Sequence, residues 1–301
     1  MKQEIDGFLR YLDMERGFSQ RTVSAYAYDL AKFSEFAVMR IGEVCNVEDI
    51  DPYLIRTYLQ FLANTGYKKC NMAVSRGRKL ATLKSFFKYL LAEGSVKGDP
   101  TMQLKMPRTK QKEPSYLTEP EYKRLLKAVK NNATKYFKQR DVAIVNILLG
   151  MGLRLSELVE LNIGDVNFDD RTIKATRKGN QERILPANKE VMMSIQRYLK
   201  TRKNRETQHP LFLSKRNQRI DNASVWRVVK KYLKQAGIEK EKLSPHTLRH
   251  TFATTLLKQG ENLLTIKKLL SHRNLRTTER YLHINDQDLR SAVGKIDLTT
   301  R

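Results

Sequence analysis

The chain has 301 residues, with 57 Lys and Arg against 32 Asp and Glu for a net charge of +25, and 40% of it is hydrophobic. That length suffices for two domains with separate cores; no apolar run approaches the roughly 18 residues of a membrane span, and the acid-bearing start MKQEIDGFLRYLDMERG does not resemble a secretory leader. Cys45 and Cys70 are the only cysteines, so there is no second pair to build a zinc site, and a reducing, cytoplasmic setting is expected.

The charge is unevenly placed. Residues 1–107 hold 16 basic and 12 acidic side chains, whereas residues 108–301 hold 41 and 20. Such an excess repels itself unless a polyanion neutralises it, which points to nucleic acid. A solvated basic surface is the plain alternative, and no isolated basic amphipathic helix suits a membrane surface.

The first hundred residues read as helices. Ile5, Phe8, Leu9 and Leu12 follow the spacing of one buried helical face. Ser19 is placed to cap a second helix, on which Tyr26, Leu30, Phe33 and Ala37 share a face. A third helix follows Pro52, with Leu54, Tyr58, Leu59 and Leu62. The fourth runs from about Ala73 to Leu91 and buries Leu80, Leu83, Phe87 and Leu90 or Leu91. It also carries Arg76, Arg78, Lys79, Lys84 and Lys88, and no acid lies between Gly66 and Leu91. A helix with one apolar and one basic face can lie against a DNA groove, although an ordinary solvated face has the same pattern.

Between Glu93 and Tyr116 the periodicity stops. GSVKGDP and KMPRTKQKEP read as a basic linker suited to a phosphate backbone. A second domain opens at Thr118, where Glu121 completes a capping box and Pro120 falls in the first turn. A helix over about Lys138–Leu149 ends in Gly150-Met151-Gly152, and a short helix starts near Ser156. Three strand-like pieces follow: Val166–Phe168, Thr172–Thr176 and Glu182–Leu185, with Lys178-Gly179-Asn180 at a hairpin tip. The rest is mainly helical.

Several residues in this half suit chemistry on a phosphodiester. Arg154 stands between a glycine-rich turn and a helix start, with Glu157 three positions on to orient it; a surface ion pair would look the same. His246 and Arg249 share a face near a helix N-terminus opened by Pro245, a place that favours an anion. Lys178 at a hairpin tip can reach a leaving oxygen, though most such lysines are solvated turns. His272 precedes Tyr281 by nine residues. A tyrosine at helical spacing is ordinarily core, and its phenol is a poor nucleophile unless cations stabilise the anion.

In order, R-L-S-E-L at Arg154, a hairpin K-G-N-x-E-R at Lys178, H-T-L-R-H at His246, and L-S-H at His272 with Tyr281 nine residues later resemble the tyrosine recombinase (phage integrase) family, and its compact Xer-like branch most. The amino-terminal Ser19, Thr22, Tyr26, Asp29, Leu30 and Phe33 are similar to that family's core-binding domain. Ser271 and Arg273, flanking His272, and Leu282 after Tyr281 depart from the family's usual residues.

The resemblance implies a mainly α fold with a small antiparallel β-sheet in the catalytic domain, arranged as a two-domain C-shaped DNA clamp. A helical core-binding (SAM-like) domain would span 1–107, a linker 108–116, and a catalytic domain with a C-terminal helix 117–301. It further implies that Tyr281 attacks the scissile phosphate, Arg154 and Arg249 clamp it, Lys178 is the general acid, and His246 and His272 donate hydrogen bonds or shuttle protons, with Glu157 in support. Strands would pass through a 3′-phosphotyrosyl link and a Holliday junction held by a homotetramer on double-stranded DNA bearing a specific site. A second recombinase or accessory protein would be a possible partner. No metal, ATP or other cofactor is called for.

A stripe of Leu289, Val293 and Ile296 after Asp286 suits docking on its own domain or on a neighbour; the resemblance favours the neighbour. A type IB topoisomerase would differ by relaxing DNA without a specific site. A phage-type integrase with an arm-binding module would need a further domain, for which no room is expected before Met1–Leu12. A non-catalytic DNA-binding regulator would be expected to have lost part of the catalytic set.

Overall fold

Ser19 starts the second helix of the chain as its spacing predicts: the Ser19 hydroxyl accepts from the Thr22 N–H at 3.2 Å. The computed structural model describes residues 1–42, 46–64, 73–107, 115–134, 136–177, 181–202, 206–240 and 243–270. These form two units, Met1–Gln111 and Lys112–Arg301. Among the described residues no helix is long and apolar enough to cross a membrane.

The first unit holds α1 (Lys2–Arg10), α2 (Gln20–Ile41), α3 (Pro52–Asn64) and α4 (Ala73–Ala92). α1 runs into a single π-helical turn, Tyr11–Glu15. Phe8 and Leu12 are both buried. Phe8, Phe33, Phe36, Tyr58, Phe86 and Phe87 fill the centre. Phe8 meets Phe86 at 5.4 Å and 62°, the edge-to-face geometry that aligns a positive ring edge with a negative face. Leu90 faces inward and Leu91 outward, which decides the end of the α4 stripe.

The α2–α4 contact also contains a buried charge cluster. Asp29 is 2% exposed. It accepts from both terminal nitrogens of Arg78, from Lys79 Nζ at 2.9 Å and from Thr82 Oγ1 at 3.2 Å. Lys79 is therefore itself buried, and its place on an exposed basic face of α4 is corrected. Arg78 and Lys88 are exposed, and Arg76 and Lys84 are intermediate. Periodicity alone missed this because a carboxylate on another helix draws Lys79 inward.

The second unit is built around α6 (Lys138–Met151), whose run VAIVNILLGM is apolar on nearly every side. Such a helix must be covered all round, and α5 (Glu119–Asn132), α8 (Lys189–Lys200) and α10 (Pro245–Lys258) pack against it. Thr118 and Glu121 form the expected capping box at α5. A short α7 (Leu155–Glu160) leads to β1 (Val166–Asn167), β2 (Thr172–Arg177) and β3 (Gln181–Pro186), an antiparallel sheet in chain order. Opposed Ile173 and Leu185 point into the core, while Ile184 faces outward, the alternation a one-sided sheet requires. α9 (Asn222–Gln235) and α11 (Leu263–Leu270) complete the described part.

α6 also carries a buried ion pair. Arg140 grips Asp141 through Nε at 2.9 Å and Nη2 at 2.8 Å, and Asp141 accepts from the Tyr232 hydroxyl at 2.8 Å. Burial and that bond to a carboxylate raise the Tyr232 phenol well above its ordinary range, so it stays protonated.

Replacing Asp29 by Ala strands the Lys79 charge, and losing one partner of a buried pair costs roughly 3–5 kcal/mol. Hydrogen exchange of the α2 and α4 amides in Asp29→Ala should accelerate accordingly, and adding Lys79→Met should restore part of the loss. Unchanged exchange in the single variant would show that the cluster holds nothing together.

Candidate active site

The site is assembled where α6 ends. Gly152 terminates that helix at φ +60°, a left-handed conformation that glycine adopts without steric cost. A side chain there would also collide: an added Cβ would lie 2.5 Å from Phe252 Cδ1. This tight turn delivers Arg154 to the N-cap of α7 in extended conformation.

Glu157 then reaches back. Its Oε2 accepts from the Arg154 backbone N–H at 2.8 Å, and its Oε1 accepts from Arg154 Nη1 at 2.8 Å. Glu157 is 2% exposed, and Arg183 from β3 donates Nη2 to the same Oε2 at 2.7 Å. Burial alone would raise the Glu157 pKa. The Arg154 N–H and the Arg183 and Arg154 guanidiniums outweigh it, holding the pKa below the ordinary carboxylate range. The carboxylate therefore stays ionised and fixes the direction of Arg154, whose side chain remains about one-third exposed.

α10 supplies the second group. Pro245 opens it, and the Thr247 side chain accepts from the Ser244 N–H at 3.1 Å. His246 is exposed in the first turn, while Arg249 is buried. Arg249 donates Nη1 to the Gly152 carbonyl and Nη2 to the Leu270 carbonyl, both at 2.5 Å. It thus joins the end of α6 to the end of α11. Partial desolvation lowers the His246 pKa, and the charges of Arg249 and Arg154 push it the same way. Two stretches, Arg154 ahead of α7 and His246 with Arg249 on α10, are brought together, since Arg249 holds the Gly152 carbonyl two residues before Arg154.

Other sequence-predicted residues fall elsewhere. Lys178, His272 and Tyr281 lie outside the described residues. The pairing of Arg177 with Gln181 leaves residues 178–180 to join β2 to β3, and α11 ends two positions before His272. The tail stripe of Leu289, Val293 and Ile296 is likewise outside the described residues.

Arg183 was not singled out from sequence. A signal existed: it has the same parity on β3 as buried Leu185, so it points away from solvent, where a charge requires a partner. That partner, Glu157, sits 26 residues earlier, and only the fold brings the two together.

Residues 115–288 match the phage integrase family, and residues 5–94 match the phage integrase N-terminal SAM-like domain. The chain is 38% identical to tyrosine recombinase XerC of Caldanaerobacter subterraneus subsp. tengcongensis, covering 98% of this chain and 87% of that one. It is 34% identical to tyrosine recombinase XerD of Proteus mirabilis, covering 95% and 90%. Among solved structures, XerA recombinase is 31% identical with a TM-score of 0.53 and 98% of both chains covered. XerH site-specific recombinase bound to a palindromic difH substrate, 21% identical, shares the fold with a TM-score of 0.76 over 93% of this chain and 81% of that one.

A lowered His246 pKa has a definite sign in stability. The unfolded chain takes up this proton more readily than the folded one, so acid favours unfolding through His246, and stability falls as pH drops below about 6.5. An NMR titration of the His246 ring should show a midpoint below 6.5. Arg154→Ala should raise that midpoint. A midpoint at or above 6.5 in the unaltered protein would contradict the shared neighbourhood.

Proposed function

The chain belongs to the phage integrase family and is a tyrosine site-specific recombinase, and from that premise we propose how its residues divide the chemistry of cutting and rejoining DNA. The observation that carries this reading is the convergence of Arg154, His246 and Arg249, with Glu157 buried behind them.

The Tyr281 oxygen attacks the scissile phosphorus as its hydroxyl proton passes to a neutral His246 or His272. An Oη–P bond forms, the bond from phosphorus to the 5′ oxygen breaks, and Lys178 delivers a proton to that leaving oxygen. Bond energy is kept in the 3′-phosphotyrosyl link, so a 5′ hydroxyl of a partner strand reverses the same step without an external energy source. Arg154 and Arg249 neutralise the pentacoordinate transition state, where a planar guanidinium matches two non-bridging oxygens. Arg249 also grips the frame of the site through the Gly152 and Leu270 carbonyls. His246 and His272 donate hydrogen bonds to the phosphate or relay the proton.

The substrate is double-stranded DNA carrying a specific site, and the net charge of +25 supports it. The exposed cations of α4, Arg78 and Lys88, and the partly exposed Arg76 and Lys84, take backbone contacts in this reading. The amino-terminal helices form a core-binding domain, residues 108–116 serve as a linker, and residues 117–301 carry the chemistry. The working assembly is a homotetramer on a Holliday junction, with room for a second recombinase or accessory protein, in the cytoplasm. An apolar hollow of about 620 Å³, lined by residues that include Leu126, Leu149, Val191, Phe252 and Leu256, suits a stripe such as Leu289, Val293 and Ile296, from this chain or from a neighbour, and the family resemblance favours the neighbour.

The test uses full-length protein and a nicked duplex whose cleavage site has been recovered by covalent capture from random-sequence DNA. A protein–DNA band should survive denaturing electrophoresis with the unaltered protein and vanish in Tyr281→Phe, while DNA binding persists. An adduct that persists in Tyr281→Phe would assign the nucleophile elsewhere. Arg154→Ala should slow cleavage by at least about 10²-fold, the loss typical of one preorganised donor; a near-normal rate would rule out its place on the phosphate. Affinity should also fall steeply with salt, as it does when about ten phosphates are contacted.

A further inference from the structure

Arg183 binds two places that the reaction needs held. Its Nη2 donates to Glu157 Oε2 at 2.7 Å and its Nη1 donates to the Leu269 carbonyl at 2.6 Å, with the side chain 12% exposed. Glu157 in turn holds both the backbone and the guanidinium of Arg154. Leu269 and Leu270 are the last two residues of α11, and the second carbonyl is taken by Arg249. Two arginines from different elements thus donate to adjacent carbonyls of α11.

Arg183 also stands five positions after Lys178 on the strand that follows the β2–β3 connection. It therefore links β3, the carboxylate that aims Arg154, and α11. We propose that Arg183 is a positioning residue for strand cleavage, setting Arg154 through Glu157 and tying α11 to β3 through Leu269, without itself touching DNA. This deepens the catalytic reading above and rests on it. A planar fork is suited to the task, because it can donate in two directions at once to a carboxylate and a carbonyl; a lysine offers one nitrogen.

A purely structural arginine would affect folding and DNA binding together with cleavage. A positioning arginine affects cleavage alone and acts through its partners. The test is single-turnover cleavage of the captured nicked duplex by full-length Arg183→Gln, Arg183→Lys, Glu157→Gln and the double variant Glu157→Gln/Arg183→Gln, with DNA affinity and thermal unfolding measured beside it.

Arg183→Gln should cleave roughly 10- to 100-fold more slowly, the range for residues that orient a functional group from behind. Its DNA affinity should stay within about threefold, and Arg183→Lys should recover part of the rate, because a charge on Glu157 is restored. The double variant should be much less impaired than the product of the two single losses, as expected for groups acting as a unit. Cleavage by Arg183→Gln within about threefold of the unaltered rate, a parallel loss of DNA binding, or multiplicative losses in the double variant would each overturn the proposal, since independent groups add in free energy. Should Arg183→Gln not fold, Arg183→Lys decides: folded and binding but slow supports the role, and a normal rate removes it. Absence of any adduct with the unaltered protein would instead sink the parent reading and leave a different result from an adduct insensitive to Arg183.

Discussion

A single carboxylate, that of Glu157, is the constraint from which the rest of the catalytic unit follows. It is buried, it is ionised, and it lies between two guanidiniums. An isolated buried carboxylate is strongly disfavoured, and Arg154 and Arg183 together offset that cost. That pairing leaves Arg154 little freedom. In the proposed mechanism Arg154 meets developing charge in the transition state, and orienting it before substrate arrives is the arrangement that makes such stabilisation effective.

The same economy of parts recurs at the ends of the helices. α6 stops in a left-handed glycine, and α11 runs over Leu263–Leu270. Arg249 caps the two together, and Arg183 caps the neighbouring Leu269. Arg249, placed on the phosphate in the proposed mechanism, thus also fastens the fold, and measurements that separate binding, folding and cleavage assign a role to either arginine.

Asp29 shows the device in the amino-terminal unit without the chemistry. It too is a buried carboxylate gathering several donors, with Arg78, Lys79 and Thr82 arrayed around it. Its effect is to withdraw Lys79 from the surface while leaving Arg78 half exposed. A strongly basic chain does not present every cation to solvent. Some are spent on joining its helices, and the surface charge that meets a polyanion is what remains.

Much was legible in the sequence because it is local. The Ser19 cap, the Thr118–Glu121 capping box, the breaks after Gly152 and before Pro245, and the alternation around Ile173 and Leu185 depend on neighbours within a few positions. The ordered motifs around Arg154, His246 and Arg249 also identified the family before any fold was known, since chemistry restricts which residue types can serve. What the sequence could not determine was where long side chains would end. Lys79 turning inward to Asp29, Arg183 reaching Glu157 across 26 residues and Leu269 across 86, and Arg249 bridging Gly152 and Leu270 were decided by tertiary structure alone. The physical reason is common to all three: a buried charge takes whatever partner the packed elements bring within about 3 Å, and periodicity along a chain carries no record of that distance.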